Sequence, residues 1–140
     1  MRSVRRSIGA IMWFALVVSV AFSWVSYAQQ TQNFVGKTDV LDAADISAGR
    51  RFFEAGARSN WHAHPNGQLI LNEKGVGLHQ IEGKPIVRLA PGDSVYAGPG
   101  VVHWHGAAPD AGLTQVNIGF GGTTKWGAPV SDAAYGGLAK

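Results

Sequence analysis

Hydrophobic and polar positions follow two different rules along this chain. Residues 7–30 carry no charged side chain and are dominated by Ile, Leu, Val, Phe and Trp. From residue 49 onward the apolar runs become short, alternate with polar positions, and stop at turn-forming residues with almost no helical period. That pattern predicts strands over 51–55, 59–64, 68–71, 76–81, 86–89, 94–97, 101–106 and 113–120. The punctuation includes Pro65-Asn66-Gly67, Glu82-Gly83-Lys84, Pro91-Gly92-Asp93, Gly98-Pro99-Gly100 and Gly121-Gly122. Short strands at regular spacing predict an all-β sandwich or barrel with a single core. Only residues 131–138 carry a helical signal, with Ser131 as its N-cap, which makes a short C-terminal helix. Residues 29–48 are an N-terminal arm or an edge strand, ahead of a domain over 49–140.

The uncharged first segment is a leader. Arg2, Arg5 and Arg6 precede it, and Ser26-Tyr27-Ala28 places small residues where a signal peptidase requires them, so residues 1–28 are expected to be a signal peptide cut after Ala28. The mature domain is then periplasmic or secreted. The competing reading is a retained anchor, because the apolar stretch approaches bilayer length, and membrane contact would then run through the leader alone. The residues after Arg5-Arg6 match a twin-arginine signal poorly. With no cysteine, the domain has neither a lipoprotein anchor nor a disulfide, and packing must hold it, helped by any bound metal.

Charge changes the picture once the leader is set aside. The chain has 12 Lys+Arg against 9 Asp+Glu, and three of the arginines lie in the leader. The remainder is balanced, with no basic stripe interleaved with aromatics, so nucleic acid is not an expected partner.

Candidate chemistry centres on His62-Ala63-His64, Gln68 and His103-Trp104-His105. Side chains two apart on a strand point the same way, so His62 and His64 can offer two nitrogens to one point. The Pro65-Asn66-Gly67 turn brings Gln68 round behind them, and His103 arrives from a later strand. Four groups at these spacings predict a mononuclear metal site; the alternative is ordinary polar residues on half-buried strands. Three imidazoles and an amide leave a divalent ion with its charge uncompensated, so the site should draw anions and acidify bound water. Mn²⁺ or Fe²⁺ suits such an open nitrogen and oxygen site, with Zn²⁺, Ni²⁺ and Cu²⁺ as competitors.

These residues carry a family resemblance. Gly56-x5-His62-x-His64-x3-Gln68-x6-Gly75 resembles the first cupin motif, and residues 92–103 resemble the second. Gln68 stands where many cupins have glutamate, Gly98 occupies a usual proline position beside Pro99, and Ala107 replaces a common asparagine. With Pro91-Gly92-Asp93, the stretch 103–107 and a tail through Lys125-Trp126 to Tyr135, the chain is similar to small single-domain bacterial cupins that include manganese-dependent hydroxynitrile lyases. The resemblance implies a cupin-like β-barrel, His62, His64, Gln68 and His103 as metal ligands, a small-molecule substrate and a homo-oligomer, for which barrel edges and apolar flanks also speak.

Other residues are assigned less directly. His105 shares a face with His103 and is the candidate catalytic acid-base group, or else a hydrogen-bonding neighbour of the ligands. Gln115 and Asn117 share a face of the last long strand and are candidate cavity residues, as are Arg51 and Phe53. Arg51 would clamp a carboxylate if its face is inward, although a solvent-facing arginine is the plainer expectation. His79 is expected at the surface or rim, and Trp61, Trp104 and Trp126 in the core. Three functions fit: a metal-dependent lyase acting on a cyanohydrin-like alcohol, an Fe/Mn-dependent dioxygenase, and a non-catalytic module that binds metal or a small molecule. The hydroxynitrile lyases carry histidine at the place of Gln115, and an amide cannot accept a proton, so the lyase expectation leans on His105.

Overall fold

A computed structural model describes residues 34–136 of the chain. The chain divides into two units, Met1–Asp42 and Ala43–Lys140. Of the first, only residues 34–42 are described; they are exposed and form no strand or helix. The expected leader lies outside the described residues, and no described helix is long and apolar enough to cross a membrane.

The second unit is built from nine strands and one short helix: β1 Ser47–Phe53, β2 His62–Ala63, β3 Gln68–Gly75, β4 Gly77–Ile81, β5 Val87–Leu89, β6 Ser94–Ala97, β7 His103–Ala107, β8 Leu113–Gly119, β9 Lys125–Trp126 and α1 Asp132–Gly136. They form two antiparallel sheets, ordered β1-β8-β3-β6 and β5-β4-β7-β2-β9. The expected all-β architecture is present, with two differences at its margins. β1 starts earlier than expected, at Ser47, because its outer end pairs with β8 from Ser47↔Gly119 to Phe53↔Leu113. β9 was not expected; it exists through its pairing with β2. The expected C-terminal helix is present over Asp132–Gly136, with residues 137 and 138 lying outside the described residues, and it is capped where Ser131 Oγ accepts from the Ala134 amide at 3.1 Å.

The two sheets bury different things. In the first, alternation is clean: Gln68, Ile70 and Asn72 of β3 face inward and are buried, while Leu71 faces out. In the second, all five residues of β7 are buried. Its inner face carries His103, His105 and Ala107, and its outer face packs Trp104 into a second core with Leu78, Ala108, Val130 and Tyr135. The segment after β9 supplies that cover. Tyr135 donates to the Ala107 carbonyl at 2.7 Å, and its ring tilts against Trp104 with centroids 5.7 Å apart. The backbone of β7, which positions the functional histidines, is thereby packed from both sides.

Candidate metal centre

All five histidines of the chain are partly or fully buried and lie ring against ring. The sheet register explains why. Pairing of β2 with β7 sets His62 opposite His103, and pairing of β4 with β7 sets His79 opposite His105. Gln68 opens β3 after a turn that needs glycine at position 67. Gly67 has φ +88°, and a Cβ there would meet the Tyr96 hydroxyl at 2.5 Å and the Ala97 carbonyl at 2.8 Å.

One nitrogen each of His62, His64 and His103 lies within 4.8 Å of the others. The opposite nitrogens explain how the rings are aimed. His62 Nδ1 donates to the Asn60 carbonyl at 2.9 Å, His103 Nδ1 donates to the Val101 carbonyl at 3.0 Å, and His64 Nδ1 lies 3.1 Å from the Thr124 hydroxyl. Carbonyl oxygens only accept, so the protons of His62 and His103 sit on Nδ1 and their Nε2 lone pairs face the centre. His64 Nε2 is buried with no hydrogen-bond partner. Gln68 Oε1 stands 3.0 Å from His103 Nε2, which places two acceptors face to face. A bare cluster of converging acceptors is costly, and a cation among them resolves it. The residues present therefore fit a divalent metal, held by three imidazoles and one amide oxygen.

Electrostatics supports the same fit. Burial lowers the pKa of His62 and of His64, and it lowers that of His103 to about 4. Neutral imidazole is the form that ligates metal, so protons compete weakly at neutral pH. No carboxylate joins this ligand set among the described residues.

A cavity of about 630 Å³ opens beside the cluster. Its walls include His62, His64, Gln68 and His105, together with Arg51, Phe53, Asn117 and Trp126. Gln115 is not in that wall. It is 1 % exposed and stands behind His105, its Nε2 lying 2.7 Å from His105 Nδ1 and donating to Asn117 Oδ1 at 2.6 Å. As that amide is placed, the His105 proton belongs on Nε2, and the ring presents a donor rather than a lone pair. Burial, reinforced by the neighbouring imidazoles, holds His105 well below the usual histidine range.

Two expectations are corrected. His79 is not at the rim: it is 3 % exposed, its ring lies 5.5 Å from that of His103, and burial takes its pKa to about 4. Trp126 is not core; it is 65 % exposed at the cavity edge, tilted over His62 at 4.8 Å. Arg51 is exposed, as a solvent-facing arginine would be, and it also borders the cavity. Thr124, which holds the His64 ring, carried no signal in the sequence because its loop has no motif.

A family model described as "Cupin domain" matches residues 50–117. A (R)-mandelonitrile lyase from Granulicella tundricola is 39 % identical over 97 residues, covering 67 % of this chain and 74 % of that protein. Among solved structures, a cupin-like protein from Thermotoga maritima has a TM-score of 0.64 and 40 % identity, covering 65 % of this chain and 71 % of that one. A DMSP lyase from Ruegeria pomeroyi has a TM-score of 0.55 at 23 % identity, covering 63 % of this chain and 46 % of that one; the likeness is one of fold. On this identity and coverage, the chain belongs to the cupin family.

Proposed function

We propose that the protein is a metal-dependent lyase that cleaves a cyanohydrin-type substrate, R–CH(OH)–CN, into an aldehyde and hydrogen cyanide. The observation that carries the proposal is the convergence of His62, His64 and His103, with one nitrogen of each within 4.8 Å of the others, beside a cavity whose wall includes His62, His64 and His105. The 39 % identity with a (R)-mandelonitrile lyase supports the choice of chemistry. A divalent ion held by His62, His64, Gln68 and His103, manganese or iron by the hardness of the donors, would supply Lewis acidity toward a substrate oxygen.

The chain's own residues account for the protons. Cleavage takes a proton from the hydroxyl, breaks the carbon–carbon bond with its electron pair leaving on cyanide, and returns a proton to cyanide. His105 is the cavity histidine outside the ligand set, so it moves that proton. Accepting at Nε2 requires the Gln115 amide to turn over, so that its oxygen receives Nδ1–H, with Asn117 turning in step. Phe53, edge-on to the His105 ring at 5.9 Å, and Trp126 give the cavity apolar surface. The proposal includes export of the mature domain by its leader.

Cyanide release from racemic mandelonitrile by the manganese- or iron-loaded protein, in mildly acidic buffer where spontaneous decomposition is slow, is the direct test. One enantiomer should be consumed faster than the other, and His105→Ala should lower turnover by about 10²–10⁴ with metal content unchanged. No release above buffer from mandelonitrile or from a carboxylate-bearing cyanohydrin at full metal occupancy would refute the proposal.

A further inference from the structure

Among the described residues lining the cavity there are three arginines, Arg50, Arg51 and Arg58, and no aspartate or glutamate. Two of the three are committed elsewhere. Arg50 reaches Glu73 with two hydrogen bonds, at 2.6 and 2.9 Å. Arg58 binds Asp132 and the Val130 carbonyl and lies over the Tyr135 ring, 4.2 Å from its centroid. Arg51 makes no hydrogen bond or ion pair with any described residue.

Arg51 follows Arg50 on β1, so the two side chains point to opposite faces, and that of Arg50 is held by Glu73. Across the sheet Arg51 is in register with Gln115, which touches His105. The neighbouring inward positions explain the space around it. Gly49 on one side has nothing within 4 Å of where a Cβ would stand, and Phe53 on the other is edge-on to His105. An unpaired guanidinium thus shares a cavity with a metal seat built from neutral donors, and no acid in the wall offsets either.

The geometry points to Arg51 as the residue that selects an anionic substrate: the cavity takes a small carboxylate with a flat or apolar arm. The guanidinium grips the carboxylate two-pronged, and Phe53 and Trp126 border the arm. Combined with the lyase chemistry, the substrate class becomes a cyanohydrin or related α-hydroxy compound that also bears a carboxylate. This refinement rests on the lyase proposal for the reaction, but the anion selectivity rests on the cavity alone.

Calorimetric titration of the metal-loaded protein with benzoate and with its neutral isostere benzamide tests it. Wild type should prefer benzoate. Arg51→Gln should weaken benzoate about tenfold or more and move benzamide less than about twofold, while Arg51→Lys keeps part of the preference. Arg51 is exposed and ligates nothing, so both variants should keep wild-type melting temperature and metal content. A benzoate preference unchanged in Arg51→Gln would assign the anion to the metal alone and overturn the inference, as would no preference in wild type. Cyanide release, measured separately, distinguishes the two proposals. Arg51-dependent benzoate binding without cyanide release from any cyanohydrin sinks the lyase and keeps the selectivity. Cyanide release with Arg51-independent benzoate binding does the reverse.

Discussion

Replacing His79 by phenylalanine tests whether burial, rather than a partner, keeps the interior histidines neutral. His79 is 3 % exposed, its Nε2 has no hydrogen-bond partner, and burial with the nearby His62 takes its pKa from 6.5 to about 4. As pH falls through 6.5 the unfolded chain takes up a proton that the folded ring refuses, so stability is lost between about pH 6.5 and pH 4. For one group moving between those values the loss is about 2 kcal/mol at pH 5, and it approaches about 3.4 kcal/mol in stronger acid. Against a typical domain stability of about 5–15 kcal/mol that is a large share. His79→Phe removes this term together with a buried unpaired nitrogen. The variant should match or exceed wild type at neutral pH and lose about 2 kcal/mol less on going to pH 5. Urea denaturation followed by tryptophan fluorescence, with chelator present so that metal linkage does not contribute, reads both values. Equal acid sensitivity in the two proteins would refute the argument.

Further outcomes follow from the same geometry. Elemental analysis should find near-stoichiometric divalent metal in the wild type and in Gln68→Glu, because a carboxylate suits the same ions, and none in His103→Ala. Gln115→Glu should move the His105 proton from Nε2 to Nδ1, visible in imidazole nitrogen NMR shifts, and should raise cyanide release; an unchanged tautomer would remove Gln115 from the proton path. Gly106→Ala would set a Cβ 2.5 Å from the Ala57 carbonyl and 2.6 Å from Arg58 Cα, and should cost about 1–3 kcal/mol in a thermal melt. Tyr135→Phe removes the bond to the Ala107 carbonyl and should cost about 1 kcal/mol, a loss absent if the helix only shields solvent.

The candidate metal ligands were legible because each obeys a local rule. His62 and His64 are two apart on a strand, and a glycine turn returns Gln68 to the same side. His79 was not legible, for a reason that lies in the second sheet. Hydrophobicity usually marks the inward face of a strand, but Leu78 and Trp104 face outward into the core made with Val130 and Tyr135. The inner face of β4 carries His79 rather than Leu78, and only the pairing with β7 reveals it. The face of Arg51 is set by its register with Gln115, a long-range pairing that no local pattern encodes. Trp126 sits in a strand of two residues, too short for any period to show.

The carbonyl-held Nδ1 atoms of His62 and His103 bear on how the site is filled. Those bonds belong to the protein's own backbone and do not need the ion, so the chain can finish folding and only then meet its metal. Such a protein has no way to reject a wrong ion by failing to fold. With neutral donors of nitrogen and oxygen, several first-row metals compete on affinity and abundance alone. A metal bound at this seat would then reflect the ions available to the folded chain. The same sequence, made under copper-rich or manganese-rich conditions, would yield proteins that share a fold and differ in activity.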